Sequence, residues 1–252
     1  MYFDTHAHYD DKAFDADRDA LLASFPDSGV ALVLDPGCDV KSSEKALALA
    51  ERYPHVYAAV GIHPEELGGT AVGDLDRIEA LSLREKCVAI GEIGLDYYWD
   101  DTRKEEQKAL FIEQLELALR RDLPVIIHDR EAHGDCFDIV KRYPDLRGVF
   151  HCYSGSAEMA QELLKRGWYL GFDGPITYKN ARKALEVLEL CPLERILIET
   201  DSPYLSPVPR RGKRNDSHNL VYVIDKIAEI KGLRPVEIAA ATMENGKRLF
   251  KI

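Results

Sequence analysis

The sequence feature that most constrains the fold is a regular alternation of short apolar runs with amphipathic stretches of helical periodicity. Continuous apolar runs are typical of parallel strands that are buried on both faces. Helical stretches between such strands indicate right-handed crossovers. The predicted strands are Tyr2–Phe3, Val30–Leu34, Val56–Val60, Cys87–Ile90, Leu123–Ile127, Gly148–Phe150, Trp168–Gly171 and Arg195–Ile198. About eight strand–helix units in 252 residues predict an α/β fold of the TIM type, a (β/α) barrel.

Helices are predicted between the strands and after the last one. Their ranges are 17–25, 42–52, 75–84, 103–121, 135–142, 157–166, 180–190, 220–230 and 235–250, so helices close the chain at its C-terminal end. An open doubly wound sheet is the alternative architecture. No Gly-x-Gly-x-x-Gly motif follows any strand, which argues against the usual dinucleotide-binding function. No linker or low-complexity stretch interrupts the pattern, so we expect a single domain over residues 1–252.

Composition narrows the class of protein. The formal net charge of −11 argues against broad, non-specific nucleic-acid binding. The basic segment Arg210–Arg214, with four positive charges in five positions, could be a solvated loop or a contact for phosphate groups. No apolar run approaches the roughly 18 residues that span a bilayer, and no secretory signal follows Met1. The five cysteines form no CxxC pair. We therefore expect a cytoplasmic monomer with reduced thiols and no membrane association.

Histidines and acidic residues recur where the predicted strands end. His6 and His8 stand two positions apart on the opening strand, where residues i and i+2 point to the same face. In a TIM barrel the C-terminal ends of all strands face one pocket, so side chains far apart in sequence are expected to meet there. A structural histidine would explain one such residue, but this explanation would have to hold for five of the eight histidines. The complete series is His6, His8, His63, Glu92, His128, His151 and Asp201.

Imidazole and carboxylate groups in this number predict a centre for divalent metal ions. They suit zinc, manganese and related ions, whereas magnesium prefers mostly oxygen ligands. Without His63, the series offers six ligands, which exceed what one catalytic ion needs. We therefore expect two divalent ions (Mg²⁺, Mn²⁺ or Zn²⁺) that share the carboxylate of Glu92. One ion would be held by His6, His8, Glu92 and Asp201, and the other by Glu92, His128 and His151.

The expected reaction is hydrolysis by a water that the ions acidify towards hydroxide. Glu92 and Asp201 would be the catalytic residues, because Glu92 would bridge the ions and Asp201 could take a proton from that water. His63 and Arg130 remain as possible substrate-binding groups that could hold an anion beside the metals.

Together these motifs resemble the TatD family of metal-dependent deoxyribonucleases, which lies within the amidohydrolase-like barrels. The segments that carry the resemblance run from end to end of the chain: His6–His8, Gly61–Pro64, Gly91–Tyr98, His128–Ala132, His151–Gly155, Glu199–Leu205 and Arg211–Asn215. The resemblance implies a hydrolase that cuts phosphodiester bonds in DNA, with single-stranded DNA as the expected substrate. It implies metal ligands at His6, His8, Glu92, His128, His151 and Asp201. It also favours Arg211, Lys213 and Arg214 as substrate-binding residues.

Two departures from the family pattern and two alternative functions stay open. Asp129 and His133 differ from what many relatives carry, and both could alter the choice of substrate. The same barrel and metals could hydrolyse an ester or amide bond, such as an aminoacyl-tRNA ester, because the metal ligands would look much the same. A non-enzymatic binding protein with a vestigial site is disfavoured, because all six ligands are present.

Overall fold

The organising element of the structure is an eight-stranded parallel sheet. The computed structural model describes residues 1–252, and each strand pairs with its neighbours along the chain in the order β1 to β8. The strands are β1 (Tyr2–Asp4), β2 (Val30–Pro36), β3 (Val56–Val60), β4 (Cys87–Asp96), β5 (Val125–Arg130), β6 (Gly148–Phe150), β7 (Tyr169–Phe172) and β8 (Ile196–Ile198). This topology confirms the predicted TIM-type barrel.

The last strand returns to the first, which nearly closes the sheet. The Thr5 N–H donates to the Ile198 carbonyl oxygen over 3.1 Å. The Asp201 N–H donates to the His6 carbonyl oxygen over 2.9 Å. Closure pairs the exposed edges of the sheet, and it places the residues that follow β1 beside those that follow β8.

Nine α-helices connect and follow the strands. They are α1 (Arg18–Ser28), α2 (Val40–Arg52), α3 (Asp74–Leu81), α4 (Lys104–Arg121), α5 (His133–Val140), α6 (Ala157–Lys165), α7 (Arg182–Leu190), α8 (Leu220–Lys231) and α9 (Pro235–Phe250). The last two are the predicted C-terminal helices. None of the nine has both the length and the apolar composition that crossing a membrane requires.

Apolar side chains from every strand fill the interior of the barrel. The Phe250 ring of α9 packs against Phe3 of β1, with 6.0 Å between the ring centroids. Gly246 permits this approach, because a Cβ at this position would lie 2.5 Å from the Phe3 ring. The interior is therefore a packed core rather than a pore. The buried layer comprises Phe3, Leu34, Ala59, Ala89, Ile126, Val149, Tyr169 and Leu197.

Strands β4 and β5 run furthest beyond the ends that the sequence pattern predicted. β4 continues to Asp96 instead of ending at Ile90, and β5 continues to Arg130. The extension pairs Gly94 of β4 with His128 of β5. Gly94 has a φ of +147°, and a Cβ at this position would clash with the His128 carbonyl oxygen. The glycine-containing segment that resembled a loop is therefore strand, and its glycine allows β4 and β5 to approach closely.

Candidate metal centre

The strand-end residues meet at the C-terminal end of the barrel. Most of them are buried, and His128 and Asp201 are half-buried. Their positions show why topology brings them together, since they belong to or follow six strands of one nearly closed sheet. His6 and His8 follow β1, His63 follows β3, Glu92 lies in β4, His128 lies in β5, His151 follows β6 and Asp201 follows β8.

Glu92 stands at the centre, and its two carboxylate oxygens face different histidines. Oε2 lies 3.2 Å from His6 Nε2 and 3.5 Å from His8 Nε2. Oε1 lies 2.8 Å from His128 Nδ1 and 2.8 Å from His151 Nε2. A carboxylate whose oxygens each serve one group of imidazoles has the arrangement expected of a ligand that two cations share.

Asp201 joins the group around Glu92 Oε2. Its Oδ1 lies 3.6 Å from His6 Nε2 and 3.5 Å from His8 Nε2. The two groups are in direct contact, because the rings of His6 and His151 stack with 4.0 Å between centroids and 8° between planes. The histidines and Asp201 are therefore divided between the two oxygens of Glu92, which is the arrangement that a two-ion hypothesis expects.

Contacts behind two of the rings fix which nitrogen faces the centre. His8 Nδ1 lies 3.1 Å from the Pro36 carbonyl oxygen, which can only accept, so Nδ1 carries a proton and Nε2 is the nitrogen that faces the centre. His128 Nε2 donates to Asp96 Oδ2 over 3.0 Å, which leaves Nδ1 to face Glu92. Carbonyl and carboxylate partners of this kind hold metal-binding histidines in one tautomer and one orientation.

His63 differs from His8 and His128 in the hydrogen bond behind its ring. The nitrogen that faces away from the centre donates in His8 and His128, but it accepts in His63. The Glu65 N–H donates to His63 Nδ1 over 3.2 Å, where the ring caps a short 3₁₀ turn, Pro64–Gly69. Nε2 therefore carries the proton, and it lies 3.4 Å from Glu92 Oε1. A protonated Nε2 is unsuited to bind a metal but can donate to an anion, which agrees better with substrate binding than with ligation.

Burial and the neighbouring groups set the protonation of the centre. Burial alone would raise the pKa of Glu92, but the surrounding imidazoles, led by His151, lower that pKa well below its usual value. Burial lowers the pKa of His6 to about 4, so this imidazole is neutral at pH 7. Burial also opposes protonation of His128, but hydrogen bonds with Asp96 and Glu92 raise its pKa to about 10.

The spacing of the donor atoms fits divalent ions. His6 Nε2 and His8 Nε2 lie 3.1 Å apart, and His128 Nδ1 and His151 Nε2 lie 3.3 Å apart. Two ligand atoms at about 2.1 Å from one tetrahedral ion would be about 3.4 Å apart, so each pair could share an ion. Five groups of three potential ligands have their ligand atoms within 4.8 Å of one another, and two of these groups are His6, His8 and Glu92, and Glu92, His128 and His151.

The centre opens into a cavity of about 500 Å³ whose wall includes Arg130 and His63. The Arg130 guanidinium lies 4.1 Å from the centroid of the Tyr98 ring and 5.5 Å from that of Trp99. Cation–π contacts therefore hold a positive charge beside the ligand groups. Since His63 adds an N–H donor, this side of the cavity is suited to an anionic group.

The basic segment Arg210–Arg214 lies outside the wall of this cavity. Arg214 donates to both carboxylate oxygens of Asp17, over 2.7 and 2.6 Å, and so ties the segment to the start of α1. The Arg211 guanidinium lies 4.5 Å from the centroid of the Tyr178 ring. Arg211 and Lys213 are exposed. The structure does not bring these three predicted substrate-binding residues to the metal centre, and Arg214 already has an acidic partner.

Sequence reasoning missed the acidic residues behind the ligands. Asp96 orients His128, and Glu199 Oε1 lies 3.8 Å from His151 Nδ1. Asp96 could have been found from its spacing, because residues four apart on a strand share a face and Asp96 is four positions after Glu92. The early end predicted for β4 hid this relation. Glu199 could have been found from its position, because it directly follows β8 and stands two positions before Asp201.

Known proteins share both the sequence and the fold. The family model described as TatD related DNase matches residues 3–251. The uncharacterized metal-dependent hydrolase YabD of Bacillus subtilis (strain 168) is 44% identical over 254 residues, which cover 100% of both chains. A protein of Cronobacter sakazakii named 3'-5' ssDNA/RNA exonuclease TatD is 36% identical over 257 residues, covering 98% of this chain and 97% of the relative. The crystal structure of YJJV, a TatD homolog from Escherichia coli K12, superposes with a TM-score of 0.93 at 36% identity, covering 100% of this chain and 98% of that one.

Proposed function

Because this chain belongs to the TatD family of metal-dependent hydrolases, we propose that it hydrolyses phosphodiester bonds in DNA and that its substrate is single-stranded. The observation that carries the proposal is the division of the Glu92 carboxylate between two groups of imidazoles. Two cations beside an anion-binding wall suit a phosphodiester, whose reacting centre gains negative charge. The relative named 3'-5' ssDNA/RNA exonuclease supports a nucleic-acid substrate.

We assign two divalent ions, Mg²⁺, Mn²⁺ or Zn²⁺, to the two ligand groups. When bound, the ions would acidify a water molecule and stabilise the negative charge that develops on the phosphate. The protein prepares for them with an ionised Glu92 and a neutral His6. The first group is His6, His8, Glu92 and Asp201, and the second is Glu92, His128 and His151.

Asp201 is the candidate proton acceptor. Burial would raise its pKa, but the hydrogen bond with His8 and the nearby His6 lower it below its usual value. The carboxylate is therefore ionised at neutral pH, and it can take a proton from the attacking water. Opposite it, His63 Nε2 and the Arg130 guanidinium can donate to oxygens of the phosphate, in bonds that charge strengthens.

The basic segment receives a more limited role than the sequence alone suggested. Arg211 and Lys213 are exposed, and we assign them to phosphates further along the strand. Arg214 pairs with Asp17, so its contribution is to anchor the segment on α1. Its replacement should therefore disturb the segment rather than remove one phosphate contact.

The proposal is tested by metal content and DNA cleavage in the same preparation. Elemental analysis should find about two equivalents of divalent metal, and a labelled single-stranded oligonucleotide should be cut with Mg²⁺, Mn²⁺ or Zn²⁺. Glu92→Gln should abolish cleavage, because it removes the shared charge while keeping the size of the side chain. Glu66→Gln is the matched control, since Glu66 borders the same cavity outside the two ligand groups. Absence of DNA cleavage with any of these metals, together with turnover of an amide or an aminoacyl ester, would contradict the proposal.

A further inference from the structure

A second cavity, of about 510 Å³, lies beside the metal centre. Cys152 in its wall directly follows the ligand His151, and Asp173 in its wall directly follows β7. The cavity therefore lies at the same end of the barrel as the metal centre and shares the end of β6 with it. Its volume falls within the range of about 300–1,000 Å³ that is usual for small-molecule sites.

The wall of this cavity combines apolar and polar side chains. Tyr153, Phe172 and Ile176 supply apolar surface. Ser154 and Asn180 in the same wall are exposed, and their hydroxyl and amide groups can form hydrogen bonds with a ligand. A flat ring with a polar edge, such as a nucleobase, matches both features.

The rim of the cavity is basic, although the chain has a net charge of −11. Lys179, Arg182 and Lys183 are exposed at the start of α7, and none of them forms a salt bridge. The Tyr178 ring next to them carries the Arg211 guanidinium, 4.5 Å from its centroid. Arg211 thus brings the basic segment next to the basic rim, and this arrangement suits a polyanion.

We propose that this cavity binds a nucleobase of the single-stranded substrate, close to the phosphate at the metal centre. Arg182, Lys183 and Arg211 hold the neighbouring phosphates of the same strand. Apolar walls that accept a base and cations that follow the backbone are the usual means of holding single strands with little sequence preference. The inference rests on the proposed function, because it takes a nucleic-acid strand as the substrate.

Two variants test the two halves of the proposal. Ala181→Leu places a larger apolar side chain in the cavity wall, and it should raise the KM for a single-stranded oligonucleotide about tenfold. The double variant Arg182→Ala with Lys183→Ala should lower the salt dependence of oligonucleotide binding, measured by fluorescence anisotropy, by about 1.4 in the slope of log K against log salt concentration. Lys247→Ala with Arg248→Ala near the end of α9 is the matched control for charge, and its slope should equal that of the wild type.

A small substrate separates failure of this inference from failure of the proposed function. Bis(p-nitrophenyl) phosphate has the scissile bond but no strand backbone to follow the basic rim, so kcat/KM for it should not change in the double variant Arg182→Ala with Lys183→Ala. Oligonucleotide KM and salt slope equal to wild type in both variants, in proteins that unfold at the wild-type temperature, would overturn the nucleobase site alone. If the wild type hydrolyses the small diester but neither binds nor cuts the oligonucleotide, the proposed function itself is wrong and this inference falls with it.

Discussion

Replacing Asp96 by Asn tests whether the hydrogen bond behind His128 controls metal binding. Asp96 Oδ2 accepts from His128 Nε2 over 3.0 Å, and Oδ1 accepts the N–H groups of Tyr98 and Trp99 over 2.9 Å each. An Asn can keep the two loop bonds through its carbonyl oxygen, but its amide nitrogen then faces His128 and can only donate. The imidazole would have to carry its proton on Nδ1, the atom that faces Glu92, and its lone pair would point away from the metal centre.

The expected loss of metal affinity concerns the ligand group that contains His128. Loss of such a supporting bond typically weakens metal affinity 10- to 100-fold, or about 1.4–2.7 kcal/mol. The group formed by His6, His8 and Asp201 should be less affected, because Asp96 touches none of these residues. We therefore expect one of two metal equivalents to be lost after dialysis while the other is kept.

Calorimetric titration of the metal-free protein with Mn²⁺ measures the affinity, and elemental analysis measures the stoichiometry. Asp135→Asn is the matched control, because Asp135 accepts from the Tyr97 hydroxyl over 2.7 Å and pairs with Lys108 over 2.8 Å, away from the ligand groups. An Asp96→Asn protein that binds Mn²⁺ with wild-type affinity and stoichiometry, and that unfolds at the wild-type temperature, would refute the reasoning.

The opening histidine pair, the proton balance and the basic segment each give a further expectation. Replacing both His6 and His8 by Ala should remove about one metal equivalent, as measured by elemental analysis. Metal binding at pH 8 should release at least about one proton, because His128 has a pKa of about 10 and must lose its proton to bind. Metal affinity should therefore rise with pH up to about 10. Calorimetric titrations in buffers of different ionisation enthalpy measure the number of protons released. Replacing Arg211 and Lys213 by Ala should lower the salt slope of oligonucleotide binding by about 1.4, and an unchanged slope would exclude both from the strand path.

The barrel could be predicted because its signal is repeated and local. A run such as Val56–Val60 is apolar throughout, as a strand buried on both faces must be, and similar runs recur with helical stretches between them. The end of β4 could not be predicted in the same way. Gly91 and Gly94 weaken the strand pattern, and they are strand residues only because β5 lies close against them.

The clustering of the histidines, Glu92 and Asp201 could be predicted because strand ends share one face of a barrel. The details that depend on distant partners were not visible. The proton on His63 Nε2 follows from a backbone N–H two residues later, which only the folded turn places in contact with the ring. The pairing of Arg214 with Asp17 joins residues 197 positions apart, so the sequence could identify the positive charge but not its partner.

The unequal size of the two ligand groups has a consequence for where substrate should bind. In the proposed centre the group around Glu92 Oε2 would provide four protein ligands, because it includes Asp201, whereas the group around Oε1 would provide three. A catalytic ion keeps an open coordination position, and the smaller group is the one that can provide it. His63 lies beside that group, with 4.2 Å between its ring centroid and that of His128. The scissile phosphate should therefore meet the ion of the smaller group, and loss of His63 should raise KM for every phosphodiester without changing the metal content.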